Sequence, residues 1–337
     1  IADLGGVKLI SFLIVMVNVL IAEIIFTNGL LRRVKRGIFI VLIFLVCFLY
    51  SVYRLNSLAE SDSIKVSVIQ PNVLQELKWK PHSNLEIFGI LNDLAKKSEE
   101  DALVIFPEAS WPLIIDEDNF YELERFIRDI NRDTVIGAVI EEKGKFYNAA
   151  LLFDRKAKLI ETYRKVKLVP FGEYVPLRKF VSFINVLNSI GDMSRGKDFT
   201  RFIFKNKSLS VLICFEDIFP KHVLNFSRDN DFLINITNDA WFKGEPEAGQ
   251  HLGIMTLRAI ENRISIIRSA NTGISGWVSF KGEIEKFRKN GKEVFFPGVK
   301  SFKVSLNEKR SFYNKYGDLF SLLCAGFLLS VLIRKRG

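Results

Sequence analysis

Apolar positions follow two regimes along this chain of 337 residues. Near the ends they run without interruption. Residues 9–26 are almost uncharged, and residues 37–52 and 320–333 carry no charge. The first two stretches reach or approach the ~20 apolar residues that span a hydrocarbon core, so both are predicted to be transmembrane helices. The third reaches that length only if its helix starts near Ser311, which would put Tyr313 and Tyr316 at the interface. Between the ends the pattern breaks into short segments. Residues 65–69 alternate polar and apolar as a strand does, and 102–106, 135–140, 149–153, 209–214, 232–237 and 265–269 are strand-like apolar runs. Helical spacing is predicted over 84–97, 119–130, 221–226 and 248–262. Interleaved strands and helices predict an α/β fold, with sheets covered by helices. With no repeat and no second linker, the middle is one domain. The divisions expected are 1–56 (two transmembrane helices with a basic loop between them), 57–308 (the middle domain) and 309–337 (a last transmembrane helix and a short tail).

Charge orients this layout. The formal net charge is +10, and most of it sits in two clusters, Arg32, Arg33, Lys35 and Arg36 between the first two stretches and Arg334, Lys335 and Arg336 at the end. Lys and Arg concentrate on the cytoplasmic side of spans, so the middle domain is expected outside the cytoplasm. About +3 remains for that domain, which is no nucleic-acid-binding patch. The chain starts at Ile1 rather than Met; a longer protein with further spans upstream is expected, and a cleavable signal peptide fits poorly. Cys47 and Cys324 fall inside the apolar stretches, leaving Cys214 without a disulfide partner in the middle domain. A lone thiol in an oxidising compartment is buried or has a function.

In α/β folds reactive groups gather where strands end, and three candidates lie at such points. Glu108 follows the apolar run 103–106, with Pro107 ending the strand. Cys214 closes the run 209–213. Lys165 precedes a loop, 168–176, punctuated by Pro170, Gly172 and Pro176. A thiol is mostly protonated at neutral pH; a carboxylate can take its proton and later return it to a leaving group; an ammonium can help to stabilise a tetrahedral oxyanion. Taken singly, each has an ordinary structural reading as core packing or a solvated surface charge.

Several strings together resemble the nitrilase superfamily: Phe106-Pro107-Glu108, Tyr163-Arg164-Lys165, Ile213-Cys214-Phe215-Glu216 and the run 235–242. Residues 169–176, Gln250-His251 before Arg258-Ala259, and 269–275 are more similar to the apolipoprotein N-acyltransferases of bacterial envelopes. The resemblance covers essentially the whole chain. It implies a nitrilase-type α-β-β-α sandwich flanked by transmembrane helices in the bacterial inner membrane, with the catalytic domain on the periplasmic side. It implies Cys214 as nucleophile, Glu108 as general base and Lys165 as the cation beside the oxyanion. Glu173 and Glu216 match further active-site acids, and Trp79 matches an aromatic that contacts lipid or lid. Phe215 departs from the pattern, standing where relatives often carry Tyr, although its backbone N–H remains for an oxyanion hole. The donor implied is a phospholipid and the acceptor the amino group of a diacylglyceryl-cysteine lipoprotein. No metal or other cofactor is expected, and the protein is expected to act as a monomer.

Residues 175–190, with Phe183, Ile184 and Leu187, suit either a core helix or an amphipathic lid resting on the bilayer; the resemblance favours the lid. His222 and His251 are weak alternatives as partners of Cys214, and His251 is expected to satisfy a local hydrogen bond at the start of its helix. Glu23 and Asn18, inside the first span, are expected to pack against helices upstream of this chain. The competing functions are a membrane-tethered nitrilase-type amidase, with water as acceptor, and a non-catalytic membrane scaffold.

Overall fold

A computed structural model describes residues 1–74, 76–78, 81–176, 192–241 and 245–334. Two long helices, α1 (Ala2–Phe26) and α2 (Leu30–Ser57), open the chain. At 1.5 Å per residue α2 is about 42 Å long, and α1, broken at Gly5–Gly6, runs uninterrupted from Val7 for about 30 Å. They are long and apolar enough to cross a membrane, and their apolar windows bury nothing inside the protein.

The middle domain is built from two sheets. The strands are β1 (Asp62–Gln70), β2 (Leu103–Ile105), β3 (Ile114–Ile115), β4 (Thr134–Glu142), β5 (Lys145–Phe153), β6 (Leu159–Arg164), β7 (Phe202–Phe204), β8 (Lys207–Ile213), β9 (Phe232–Thr237), β10 (Ser265–Ala270), β11 (Gly276–Val278), β12 (Ile284–Lys286) and β13 (Gly298–Leu306). One sheet runs β13-β1-β2-β4-β5-β6, with β3 beside β4; the other runs β12-β11-β10-β9-β8-β7. Side chains alternate across each strand, and here both directions are apolar. Val66, Val68, Leu103 and Ile105 point toward the second sheet and join Val211, Ile213, Ile234 and Ile266 in one core. Ile69, Val104, Phe106 and Ile136 point the other way, onto α3 (Asn84–Ala95) and α4 (Phe120–Ile130). The second sheet's outer face is covered by α5 (Pro220–Ser227) and α6 (Glu245–Asn262), through Val223, Phe226, Leu252 and Met255. The result is the α-β-β-α layering. Buried on both faces, the central strands read as continuous apolar runs.

β1 pairs along its whole length with β13, from Asp62 opposite Leu306 to Gln70 opposite Gly298. The domain therefore returns to its starting edge and hands both chain ends to the helices. Asp3, fully buried, accepts from Arg54 of α2 (2.8 Å) and from Arg263 after α6 (2.9 Å), and Val7 N–H donates to Glu261 (2.6 Å). At the C-terminal end, α7 (Phe312–Tyr316) stops at Gly317 and α8 runs over Leu319–Arg334. Phe12 meets Phe320, and Lys8 pairs with Asp318 at 2.8 Å. α8 thus leaves the domain alongside α1, and Arg334 and the Arg32–Arg36 cluster lie at the end remote from it.

Three expectations need correction here. The last helix does not run unbroken from Ser311; α7 and α8 are separate, and α8 alone spans about 24 Å. Tyr313 is buried rather than interfacial, because it packs against Gly6, where an added Cβ would lie 2.7 Å from its ring. Glu23 has its partner within the chain, since Arg36 Nε donates to it at 2.5 Å across the turn joining α1 and α2.

Candidate active site

Cys214 is the first residue after β8, and it begins a short 3-10 turn, Cys214–Ile218. Its φ is +56°, a left-handed backbone that costs a non-glycine residue about 1–2 kcal/mol. Such strain persists only where the surroundings over-determine it. Here Asn235 Nδ2 donates to the Cys214 carbonyl (2.9 Å), and Asn235 Oδ1 accepts from Arg268 (2.9 Å). Arg268, fully buried, also donates to Asp239 (2.9 Å), to the Ile274 carbonyl (3.1 Å) and to His251 Nδ1 (2.8 Å). Beneath the turn, Glu216 is fully buried and accepts from Tyr163 Oη (2.8 Å) and from the N–H groups of Ile213 (2.9 Å), Val166 (2.8 Å) and Lys167 (2.9 Å). The turn is held from both sides.

Glu108 and Lys165 arrive from the first sheet. The chain leaves β2 through Pro107, Ala109 takes φ +44°, and the carboxylate meets the second sheet just past β9. Asn238 N–H donates to its Oε2 (2.9 Å), while Asn148 Nδ2 (2.7 Å) and Lys165 Nζ (3.2 Å) reach Oε1. Lys165 follows β6, its N–H bonded to the Asn148 carbonyl (2.8 Å). Its ammonium, almost fully buried, also donates to Glu173 (3.0 Å). Glu173 sits in the turn after Val169, whose N–H it accepts (2.8 Å), and it shares Asn148 with Glu108. One ammonium thus faces two carboxylates.

The electrostatics tie the thiol to this pair. Burial pushes the Cys214 thiol well above its ordinary range; the Glu108 charge pushes the same way, while Lys165 and the Thr237 hydroxyl oppose both. At rest Cys214 is then a thiol, which would need a base before it could attack. Burial acts to discharge Lys165, but Glu108, Cys214 and Glu173 outweigh it and hold the amine protonated above its usual range. Burial likewise works against the Glu216 charge, yet His222 and the backbone donors win and keep its pKa below the ordinary carboxylate value.

Cys214, Glu108, Lys165 and Glu173 are therefore brought together. Glu216 lies under the turn, bonded to backbone. Phe215 stacks on His251, with ring centroids 4.7 Å apart. Trp79, Phe183, Ile184 and Leu187 fall outside the described residues. His251 does not make the local bond expected of it: in the middle of α6, its Nε2 meets Asp217 (2.8 Å), and Arg268 donates to Nδ1, which fixes the Nε2–H tautomer. His222 faces Glu216 at 3.3 Å. Asp239, Glu247 and His251 come within 4.8 Å of one another, a spacing that could hold a cation; the Arg268 guanidinium already supplies positive charge there. Sequence reading missed Asn148, Asn235 and Arg268. Their signal was a polar residue inside a buried strand, which must find a buried partner.

Residues 65–304 match the carbon-nitrogen hydrolase family model. The chain belongs to the carbon-nitrogen hydrolase family. Within it, the chain is 34% identical to an apolipoprotein N-acyltransferase of Geobacter metallireducens, over 96% of this chain and 64% of that protein. It is 28% identical to one of Chlorobaculum tepidum, over 99% and 70%. The chain thus spans about two thirds or less of the length of the first curated relatives it matches. Among solved structures, an amidase from Nesterenkonia sp. superposes with a TM-score of 0.56 at 17% identity, covering 80% of this chain and 98% of the amidase. That likeness shows the nitrilase-type fold.

Proposed function

We propose that this chain is the catalytic part of a membrane-bound N-acyltransferase that moves a fatty acyl chain from a phospholipid to the N-terminal amine of a diacylglyceryl-cysteine lipoprotein. The observation that carries the reading is Lys165, shared between Glu108 and Glu173 and acting on the Cys214 thiol. In the first step Glu108 takes the thiol proton as Sγ attacks the ester carbonyl. The oxyanion forms beside Lys165 and the Phe215 N–H. The carbon–oxygen bond breaks, the lysophospholipid leaves with the proton held by Glu108, and a thioester remains on Cys214. In the second step the acceptor amine attacks the thioester and yields a proton to Glu108. The thiolate leaves, regains a proton, and an amide is released. Apolar α1 and α2 beside the domain support a site at a bilayer. The basic ends remote from the domain support placing the domain on the periplasmic side of the inner membrane. We read the unit as a monomer.

Intact-mass analysis after incubation with phospholipid tests this. A mass increment of one acyl group on Cys214 is expected, and none on Cys214→Ala; an adduct that survives the substitution would refute the assignment. A second reading, an amidase with water as acceptor, is favoured by the shared fold of the solved amidase, one form of which carries covalent addition of the acetamide moiety of fluoroacetamide at the active site cysteine. Comparing release from a small amide with acylation of a lipopeptide separates the two.

A further inference from the structure

The loop after β1 buries a second amine, Lys78. Asn72 N–H donates to the Asn271 carbonyl (3.0 Å), and Val73 N–H to Asn271 Oδ1 (2.9 Å). Asn271 Nδ2 donates to the Val73 carbonyl and to Asn238 Oδ1, both at 2.8 Å. Asn238 is the residue whose N–H seats Glu108. The loop is therefore stitched to the frame of the general base, and Leu77 anchors it in the core on the helix side of the first sheet. Lys78 follows, 8% exposed, and its Nζ is buried without a hydrogen-bond partner among the described residues.

An amine sealed from water without an acceptor is destabilising, and an apolar residue of similar volume would avoid that cost. Burial draws its pKa down to about 8, with the Glu108 carboxylate opposing the fall. Nearby cations are committed elsewhere: Lys165 to Glu108 and Glu173, Arg268 to Asp239 and Asn235, Arg164 to Glu142. Lys78 alone among these has all its donors unspent. A phospholipid brings a phosphodiester a few bonds from the ester carbonyl that Cys214 would attack, and Glu108 would repel that charge unless a cation stood between them.

We infer that Lys78 is a specificity-determining residue whose ammonium takes the phosphodiester of the acyl donor, so that the site prefers phosphate-bearing glycerolipids to uncharged ones. The inference rests on the acyl-transfer reading and can fail separately from it. Binding is measured by native mass spectrometry on the 337-residue chain in detergent, in a Cys214→Ala background that cannot turn over. The ligands are dipalmitoyl phosphatidylglycerol, dipalmitoylglycerol and inorganic phosphate. Lys78→Met is expected to weaken phosphatidylglycerol binding about tenfold, the loss of one charge-assisted hydrogen bond, and to leave dipalmitoylglycerol within about twofold. Lys78→Arg, which keeps the charge, is expected to keep the preference. Unchanged phosphatidylglycerol binding, an equal loss for both lipids, or no preference in the parent overturns the inference. Displacement of either lipid by inorganic phosphate alone also overturns it, because the site would then serve free phosphate. An acyl adduct missing from intact Cys214 while the Lys78-dependent preference persists would instead refute acyl transfer.

Discussion

Glu108 and Glu216 are both buried carboxylates within a few residues of a strand end, yet their surroundings differ in kind. Glu216 is surrounded by four donors, three of them backbone N–H groups on the two segments it joins. Glu108 receives one backbone N–H, and its other oxygen is shared with two side chains that also serve Glu173. A carboxylate saturated by fixed backbone donors is held ionised and has no reason to exchange a proton. One that competes with a second carboxylate for a single lysine and a single amide can change partners as a proton arrives. The first arrangement holds the Cys214 turn; the second suits a base.

The sharpest test of that contrast is to remove each acid in turn. Glu216→Ala leaves four buried donors without an acceptor, at about 1–3 kcal/mol each where water cannot enter, so a loss on the order of 4 kcal/mol or more is expected. The readout is the thermal melt, and acyl transfer should fall at least as far as the folded fraction. Glu108→Gln keeps the shape and is expected to melt near the parent, yet to lose about 10²–10⁴ in the rate of Cys214 acylation. Reversal of these two outcomes would break the comparison. Acid sharpens it further. The folded pKa of Glu216 lies below its ordinary value of 4.5, so its contribution is present above about pH 4.5 and is lost as pH falls through the folded value. Glu216→Gln should flatten the acid limb of a stability-against-pH curve; an unchanged limb would assign that limb to other carboxylates.

Lys165→Met comes next in expected size. Because Lys165 holds the Cys214 pKa down, its removal is expected to move the pH midpoint of iodoacetamide labelling upward. The loss of an oxyanion-side cation should also slow acylation by about 10²–10³. A midpoint that stays in place would mean that the ammonium does not act on the thiol.

How far the site could be read beforehand follows from the same physics. Glu108 and Cys214 close apolar runs, Glu108 directly after Pro107, and Lys165 precedes a loop marked by Pro170 and Gly172, local signals that need no knowledge of pairing. Asn148, Asn235 and Arg268 interrupt strands that look like plain core, and their partners lie far along the chain or on a neighbouring strand: Asn148 reaches Glu108 and Glu173, and Arg268 reaches Asn235 and Asp239. Only sheet order brings such pairs together, and order is not written in periodicity. Two of the strands that went unread, β6 and β12, share a related cause. β6 carries Glu161 and Arg164, and β12 is a three-residue strand with two charges at the sheet edge, where exposure removes the apolar alternation that marks a central strand. The helix break at Gly317 and the burial of Tyr313 against Gly6 depend likewise on a contact across most of the chain.

A smaller effect is expected where Glu108 is set by backbone. Gly137 of β4 lies against the turn that carries Glu108: an added Cβ would sit 2.4 Å from the Pro107 carbonyl oxygen and 2.7 Å from Glu108 Cα. Gly137→Ala must shift that backbone, and a displacement near 1 Å is worth about 10²-fold in rate. Slower acylation with the Glu216 frame intact, seen as an unchanged acid limb, would confirm that the base is positioned independently of the turn it serves.

The smallest effect separates side chain from backbone at the residue after Cys214. Phe215 lies over His251 at an interplanar angle of 14°, and the ring is only half-buried. If its contribution to the oxyanion is the N–H, then Phe215→Tyr preserves the stack and the turn, and acylation should stay within about twofold, equivalent to ~0.4 kcal/mol. Phe215→Ala removes the ring from His251 and should cost about 0.5–1.5 kcal/mol of stacking, read in the melt, with the acylation rate following the folded fraction. A large gain from the added hydroxyl would mean that the ring edge faces the reacting atoms, placing Phe215 in the exchangeable half of the site with Glu108 rather than in the fixed half with Glu216.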